Sequence, residues 1–166
     1  FADSLTANGA NAGKGIEIIA HGIPGNITST DAATMNSTAG SINITNNNGD
    51  IDLQSNTIAA SSNVIIGAVS GAVTVGDDLN LDLLTASTGS INITASGAII
   101  TNTIASANTN ATIESTSGSV TINEDITAVT GSIDVDAAIS LNVTNAILLA
   151  TGAGGDIMLN ADQDMG

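Results

Sequence analysis

The chain has 166 residues, one basic side chain against 16 Asp and Glu, and a formal net charge of −15, yet 42% of it is apolar and only 1% aromatic. One Lys, Lys14, cannot neutralise a phosphate backbone or hold the chain on anionic lipid, so nucleic-acid binding and electrostatic membrane docking are excluded. Cysteine is absent, which excludes disulfides and thiolate chemistry, and the apolar content argues against disorder.

The first periodic segment is Ile16-Glu17-Ile18-Ile19, where β-branched residues alternate as in a short strand. Ile27 follows as a second strand, and residues 28–39 read as a longer loop. Gly22-Ile23-Pro24-Gly25 holds the only proline, which suits no internal ladder position. From residue 40 the text becomes regular. Gly40-Ser41-Ile42-Asn43-Ile44-Thr45 recurs letter for letter at Gly89-Ser90-Ile91-Asn92-Ile93-Thr94, and looser copies begin at Gly118, Gly131 and Gly155. Between them stand further apolar-x-apolar triplets, such as Ile51-Asp52-Leu53, Val73-Thr74-Val75 and Leu141-Asn142-Val143.

Aligned by first apolar residue, the triplets fall into three columns. Column 1 is Ile42, Val64, Ile91, Ile113, Ile133 and Ile157; column 2 is Ile51, Val73, Ile99, Val120 and Leu141; column 3 is Ile58, Leu84, Ile104, Ile126 and Ile147. Ile16 and Ile27 are assigned to columns 2 and 3. The spacing is about 21 residues, and each column has one long step over the same stretch, which puts an insertion at Gly76-Asp77-Asp78-Leu79-Asn80. A fixed period of this length is the mark of a repeat architecture. The expected fold is all-β: a right-handed parallel β-solenoid of six to seven turns, three short strands per turn. It forms a single domain over 1–166, with a less regular part over 1–39 and regular repeats over 40–160. Positions 1 and 3 of each triplet face inward, so Ile91, Ile113, Val120 and Ile133 are core, and Asn92, Glu114, Thr121 and Asp134 face water. Glycines two residues before columns 1 and 2 supply unusual backbone angles at corners. Asn56, Asp82, Asn102, Glu124 and Asn145, two residues before column 3, are positioned for a partial side-chain ladder.

With these columns in view, stretches such as Gly118-Ser119-Val120-Thr121-Ile122 and Gly97-Ala98-Ile99-Ile100-Thr101-Asn102 resemble the repeat regions of filamentous-haemagglutinin-like secreted adhesins, the β-solenoids of two-partner secretion and autotransporter-type systems. The resemblance covers roughly residues 40–160. It implies secretion, an elongated rod and a stalk or adhesive role at a bacterial surface, with a host or matrix glycan among the targets. The chain is short for that family and carries no recognisable secretion domain. It begins at Phe1 and not at Met, which reads as a processed chain or an excerpt.

Few residues suit chemistry. His21 is the only histidine and has no Gly-x-Ser-x-Gly elbow to serve, so it reads as a solvated loop residue. The acid pairs Asp50/Asp52, Asp77/Asp78 and Asp134/Asp136 have the residue type of a glycosidase but no aromatic platform for a sugar. No cofactor is required. Calcium is the one ion the composition suits, with Asp77, Asp78, Asp156, Asp162 and Asp164 as oxygen ligands. Asn26, Asn36, Asn43, Asn92, Asn110 and Asn142 each begin an Asn-x-Ser/Thr sequon, the acceptor pattern for glycosylation in a secreted chain. The longest mostly apolar run, 64–75, is interrupted by Gly67, Ser70 and Gly71 and is too short to span a membrane. The expectation is a non-enzymatic extracellular structural protein, a fibre, filament or adhesin stalk at the cell surface. It stacks end to end on copies of itself or adjoins further repeats of a longer chain. A carbohydrate-binding or polysaccharide-degrading β-helix is the alternative.

Overall fold

A three-residue strand has too few ladder bonds and too little apolar surface to persist alone, so this sequence is stable only if each triplet pairs with others. In the computed structural model, which describes residues 5–7, 15–21, 25–30, 33–54, 57–76 and 82–162, each triplet does so one turn away. The described residues contain no helix and form three parallel sheets of six or seven strands. The fold is a β-solenoid.

Sheet 1 stacks β2 (Ile16–Ala20), β5 (Ile42–Asn46), β8 (Val64–Ala68), β11 (Ile91–Ala95), β14 (Ala111–Ser115), β17 (Ile133–Ala137) and β20 (Ile157–Ala161). Sheet 2 stacks β3 (Ile27–Ser29), β6 (Ile51–Leu53), β9 (Val73–Val75), β12 (Ile99–Thr101), β15 (Val120–Ile122) and β18 (Leu141–Val143). Sheet 3 stacks β1 (Leu5–Ala7), β4 (Thr34–Ser37), β7 (Thr57–Ala60), β10 (Asp82–Ala86), β13 (Thr103–Ala107), β16 (Ile126–Ala128) and β19 (Leu148–Ala150). The chain visits sheets 3, 1 and 2 in that order on every turn.

The inward rows form the core. In sheet 1 the first, third and fifth residues of β5, β11 and β17 are buried while the second and fourth are not. Ile91, Ile113, Val120 and Ile133 are buried as expected, and Glu114 is exposed. Among the described residues, Ile, Val, Leu, Ala and one Met, Met35, make up the apolar interior, with no aromatic side chain.

Column 2 stands as aligned from Ile51 to Leu141. Six assignments are corrected. Ile16 pairs with Ile42 and belongs to sheet 1, and Ile27 pairs with Ile51 and belongs to sheet 2, so both move by one column. The expected loop over 28–39 contains the end of β3 and all of β4, where Met35 is fully buried beside Ile58. In column 1, Ala111 and not Ile113 stands opposite Ile91; five-residue strands offer two apolar-x-apolar triplets, and a slip of two keeps the face. In column 3, Ala105 and Leu148, not Ile104 and Ile147, are in register with Leu84 and Ile126. A slip of one reverses the face, and Ile147 is 64% exposed. The insertion lies between β9 and β10, whose ladders resume on both sides. Asp77, Asp78, Leu79 and Asn80 lie outside the described residues.

The corners explain the repeated hexapeptide. From β5 onward, the residue before each sheet-1 strand runs Ser41, Asn63, Ser90, Asn110, Ser132, Asp156. Each of the first five side chains accepts the backbone N–H of the next: Ser41 Oγ from Asn63, Asn63 Oδ1 from Ser90, Ser90 Oγ from Asn110, Asn110 Oδ1 from Ser132 and Ser132 Oγ from Asp156, at 2.9–3.4 Å. Because Asn63 reaches up to Ser90, a Cβ at residue 89 would collide with its Oδ1, and Asn110 bars residue 131 in the same way. Gly-Ser therefore follows each Asn turn, and the motif returns every second turn. A second corner stacks backbone on backbone: a Cβ at Gly49, Gly71 or Gly118 would strike the carbonyl of Gly25, Gly49 or Gly97 respectively. Among the described glycines only Gly76 and Gly154 have positive φ, so close approach rather than an unusual angle accounts for the glycines at these corners.

Of the expected column-3 side-chain ladder, one link is present, from Asn102 to a residue outside the expected set. Asn123 Nδ2 donates to Asn102 Oδ1 at 2.6 Å, and Asn102 Nδ2 donates to the Gly76 carbonyl at 3.4 Å. Asn123, not Glu124, is the next rung, Asp82 sits buried within β10, and Asn56 lies outside the described residues. Asn145 takes a left-handed conformation, with φ 58°, one residue beyond Thr144.

Candidate functional site

Alternation along β8 places Ile65 and Gly67 on the outer face of sheet 1. Gly67 stands between Thr45 of β5 and Thr94 of β11. Its missing side chain leaves a groove of about 310 Å³, lined by Thr45, Ile65, Val69, Thr94, Glu114 and Thr116 among others. Val69 is 64% exposed and Ile65 37%. Packing does not demand glycine here. A Cβ would meet only the Thr94 hydroxyl, at 3.2 Å, and no positive φ excludes one. A glycine in a strand interior weakens it and marks a place where something approaches closely.

Beyond Thr94 the same outward row continues to Glu114 and Asp136 on successive strands, with Thr112 and Asp134 beside them. Asp136 Oδ1 accepts from Asn160 Nδ2 at 3.3 Å. The groove therefore joins aliphatic walls to an acidic rim. Sequence reading took Gly67 only as a break in an apolar run; the available signal was a glycine at an outward position of a regular strand.

Of the calcium candidates, Asp156 and Asp162 lie among the described residues. Asp156 and Asp162 are exposed, and their backbone N–H groups serve the Ser132 corner and the Ala137 carbonyl. Asp77, Asp78 and Asp164 lie outside the described residues. Among the described residues no group of three or more His, Asp or Glu is arranged to hold a metal ion. Asp50 Oδ1 caps the Ala72 N–H at 2.9 Å, and Asp52 accepts from Gln54 at 3.5 Å. His21 is exposed, with Nδ1 2.8 Å from Asn47 Nδ2.

The sequon asparagines divide by place. Asn36 and Asn142 stand exposed on strands, and Asn142 Oδ1 accepts from Thr144. Asn26 and Asn110 are exposed corner residues whose Oδ1 atoms accept the Asp50 and Ser132 N–H groups. Asn43 and Asn92 are half-buried on the outer face of sheet 1; Asn43 Nδ2 donates to Glu17 at 3.5 Å.

A second surface lies at the C-terminal rung. Ile157 and Leu159 continue the inward rows of Ile133 and Val135 but are 44% and 49% exposed, where Ile133 and Val135 are fully buried. No protein-family model, no curated protein and no solved structure matches this chain.

Proposed function

We propose that the chain is a non-enzymatic structural segment of an extracellular β-solenoid rod, stacked end to end on copies of itself or on further repeats of a longer polypeptide. The observation that carries this reading is the open last rung. Ile157, Leu159 and Val143 offer apolar side chains, and β18, β19 and β20 offer one unpaired edge each among the described strands. Open parallel edges over an exposed core recruit further strands, and solenoids otherwise cover such ends. The first rung is suited to meet it: β1, β2 and β3 have three, five and three residues, as do β19, β20 and β18 in the same three sheets. A surface role is further supported by the likeness of the repeats to filamentous-haemagglutinin-like adhesins and by a charge that keeps rods apart.

Electron microscopy and light scattering over a concentration series test the stacking. Rods that lengthen in whole multiples of one chain are expected. A chain that remains monomeric at high concentration and moderate salt, with both end rungs protected from hydrogen exchange, would overturn the proposal.

A further inference from the structure

We propose that the Gly67 groove is a docking site for a lysine side chain presented by a partner protein. Three features select that chemistry. The walls contributed by Ile65 and Val69 are aliphatic and suit a four-carbon stem, which lysine characteristically lays along apolar surface while its head stays in polar surroundings. The polar side chains among the lining residues are the Glu114 carboxylate, which only accepts, and the hydroxyls of Thr45, Thr94, Ser96 and Thr116, which accept or donate. An ammonium has three N–H donors and no acceptor, so it pairs with the carboxylate and with hydroxyl lone pairs, whereas an anionic ligand would face Glu114 with no cation in the lining to balance it. Charge acts in the same direction. Asp136 is the register neighbour of Glu114, and no basic side chain lines the groove, in a chain of net charge −15.

Lysine fits better than arginine. A guanidinium gains most from bidentate pairing and aromatic stacking, and the groove offers one carboxylate and no ring. The volume of about 310 Å³ is at the lower end for ligand pockets and fits one side chain rather than a folded element. Gly67 is then explained as the residue that opens the floor, at a position where an added Cβ would meet no backbone atom and only the Thr94 hydroxyl. The inference does not depend on end-to-end stacking.

The test is an amide-shift titration of the ¹⁵N-labelled chain with the peptide acetyl-Gly-Gly-Lys-Gly-Gly-amide and with its norleucine counterpart, which keeps the stem and removes the charge. Saturable shifts centred on Gly67, Thr94 and Glu114 are expected with the lysine peptide, weakened about tenfold or more with norleucine. Glu114→Gln should weaken binding to a similar degree, whereas Asp125→Asn, which removes an equal charge elsewhere, should not. Gly67→Val should abolish the shifts while leaving the thermal midpoint nearly unchanged. Shifts spread over all carboxylates, equal loss with Asp125→Asn, or binding that survives Gly67→Val would each refute the site.

Discussion

At Gly118 a Cβ would stand 2.5 Å from the carbonyl carbon of Gly97 and 2.6 Å from the Ala98 nitrogen, and both are backbone atoms locked in a ladder. At Gly67 the nearest obstacle is the movable Thr94 hydroxyl. The two glycines therefore answer differently to the same change. Gly118→Val should cost roughly 1–3 kcal/mol by forcing two turns apart, in the range of overpacked cores. Gly67→Val should stay within about 0.5 kcal/mol of the parent, because the one close contact of its Cβ is a hydroxyl that can rotate aside. Urea unfolding of both variants measures the difference. A loss at Gly67 equal to that at Gly118 would mean that the groove floor is as tightly packed as the corner. Sequence reading grouped both as interruptions or corners, because a string of letters does not record what lies one turn below.

Within a strand, alternation divides energetic weight between faces. Ile113 is buried in the middle of β14, and Asp134 lies on the outer face of β17. Ile113→Ala should cost about 2–5 kcal/mol, the transfer and cavity terms of a buried isoleucine. Asp134→Ala should stay within about 0.5 kcal/mol, as for other surface changes. Comparable losses at both positions, read from denaturant midpoints at unchanged slope, would contradict the inward and outward scheme. That scheme was legible because β-branched residues at period 2 declare both strand and face. Column 2 was read correctly for the same reason: its strands are three residues long and leave no choice of triplet. Column 3 was misread at Ile104 and Ile147 because hydrophobicity chose isoleucine, while the interior takes Ala105 and Leu148. The β4 strand was missed because Thr34-Met35-Asn36-Ser37 has a single strongly apolar residue, and Ser37 faces inward. The groove stayed invisible because it depends on four strands about 22, 27 and 20 residues apart, a proximity that only the register supplies.

For the whole molecule, seven rungs at the usual strand spacing stand about 29 Å tall, and the last described rung leaves Ile157 and Leu159 of its inward rows exposed. Inner strands such as β11 and β14 are bonded on both edges, while β18, β19 and β20 are bonded on one among the described strands. Hydrogen exchange should grade accordingly. In dilute solution the amides of β20 exchange within the range of fraying ends and those of β11 near the global limit. On assembly the protection of β20 should rise toward that of β11. Replacing Leu159 by Asp puts a charge in the exposed inward row of the last rung, so it should block lengthening while circular dichroism of the rod stays unchanged. The charge of −15 opposes side-by-side contact but acts less on an apolar end contact, so the two modes of association separate by salt. Raising ionic strength from about 0.01 to about 0.15 M shortens the Debye length from about 30 to about 8 Å, which should promote bundling of Leu159→Asp rods without restoring their length. If Leu159→Asp chains lengthen as readily as the parent, the last rung is not the joint and the stacking model fails.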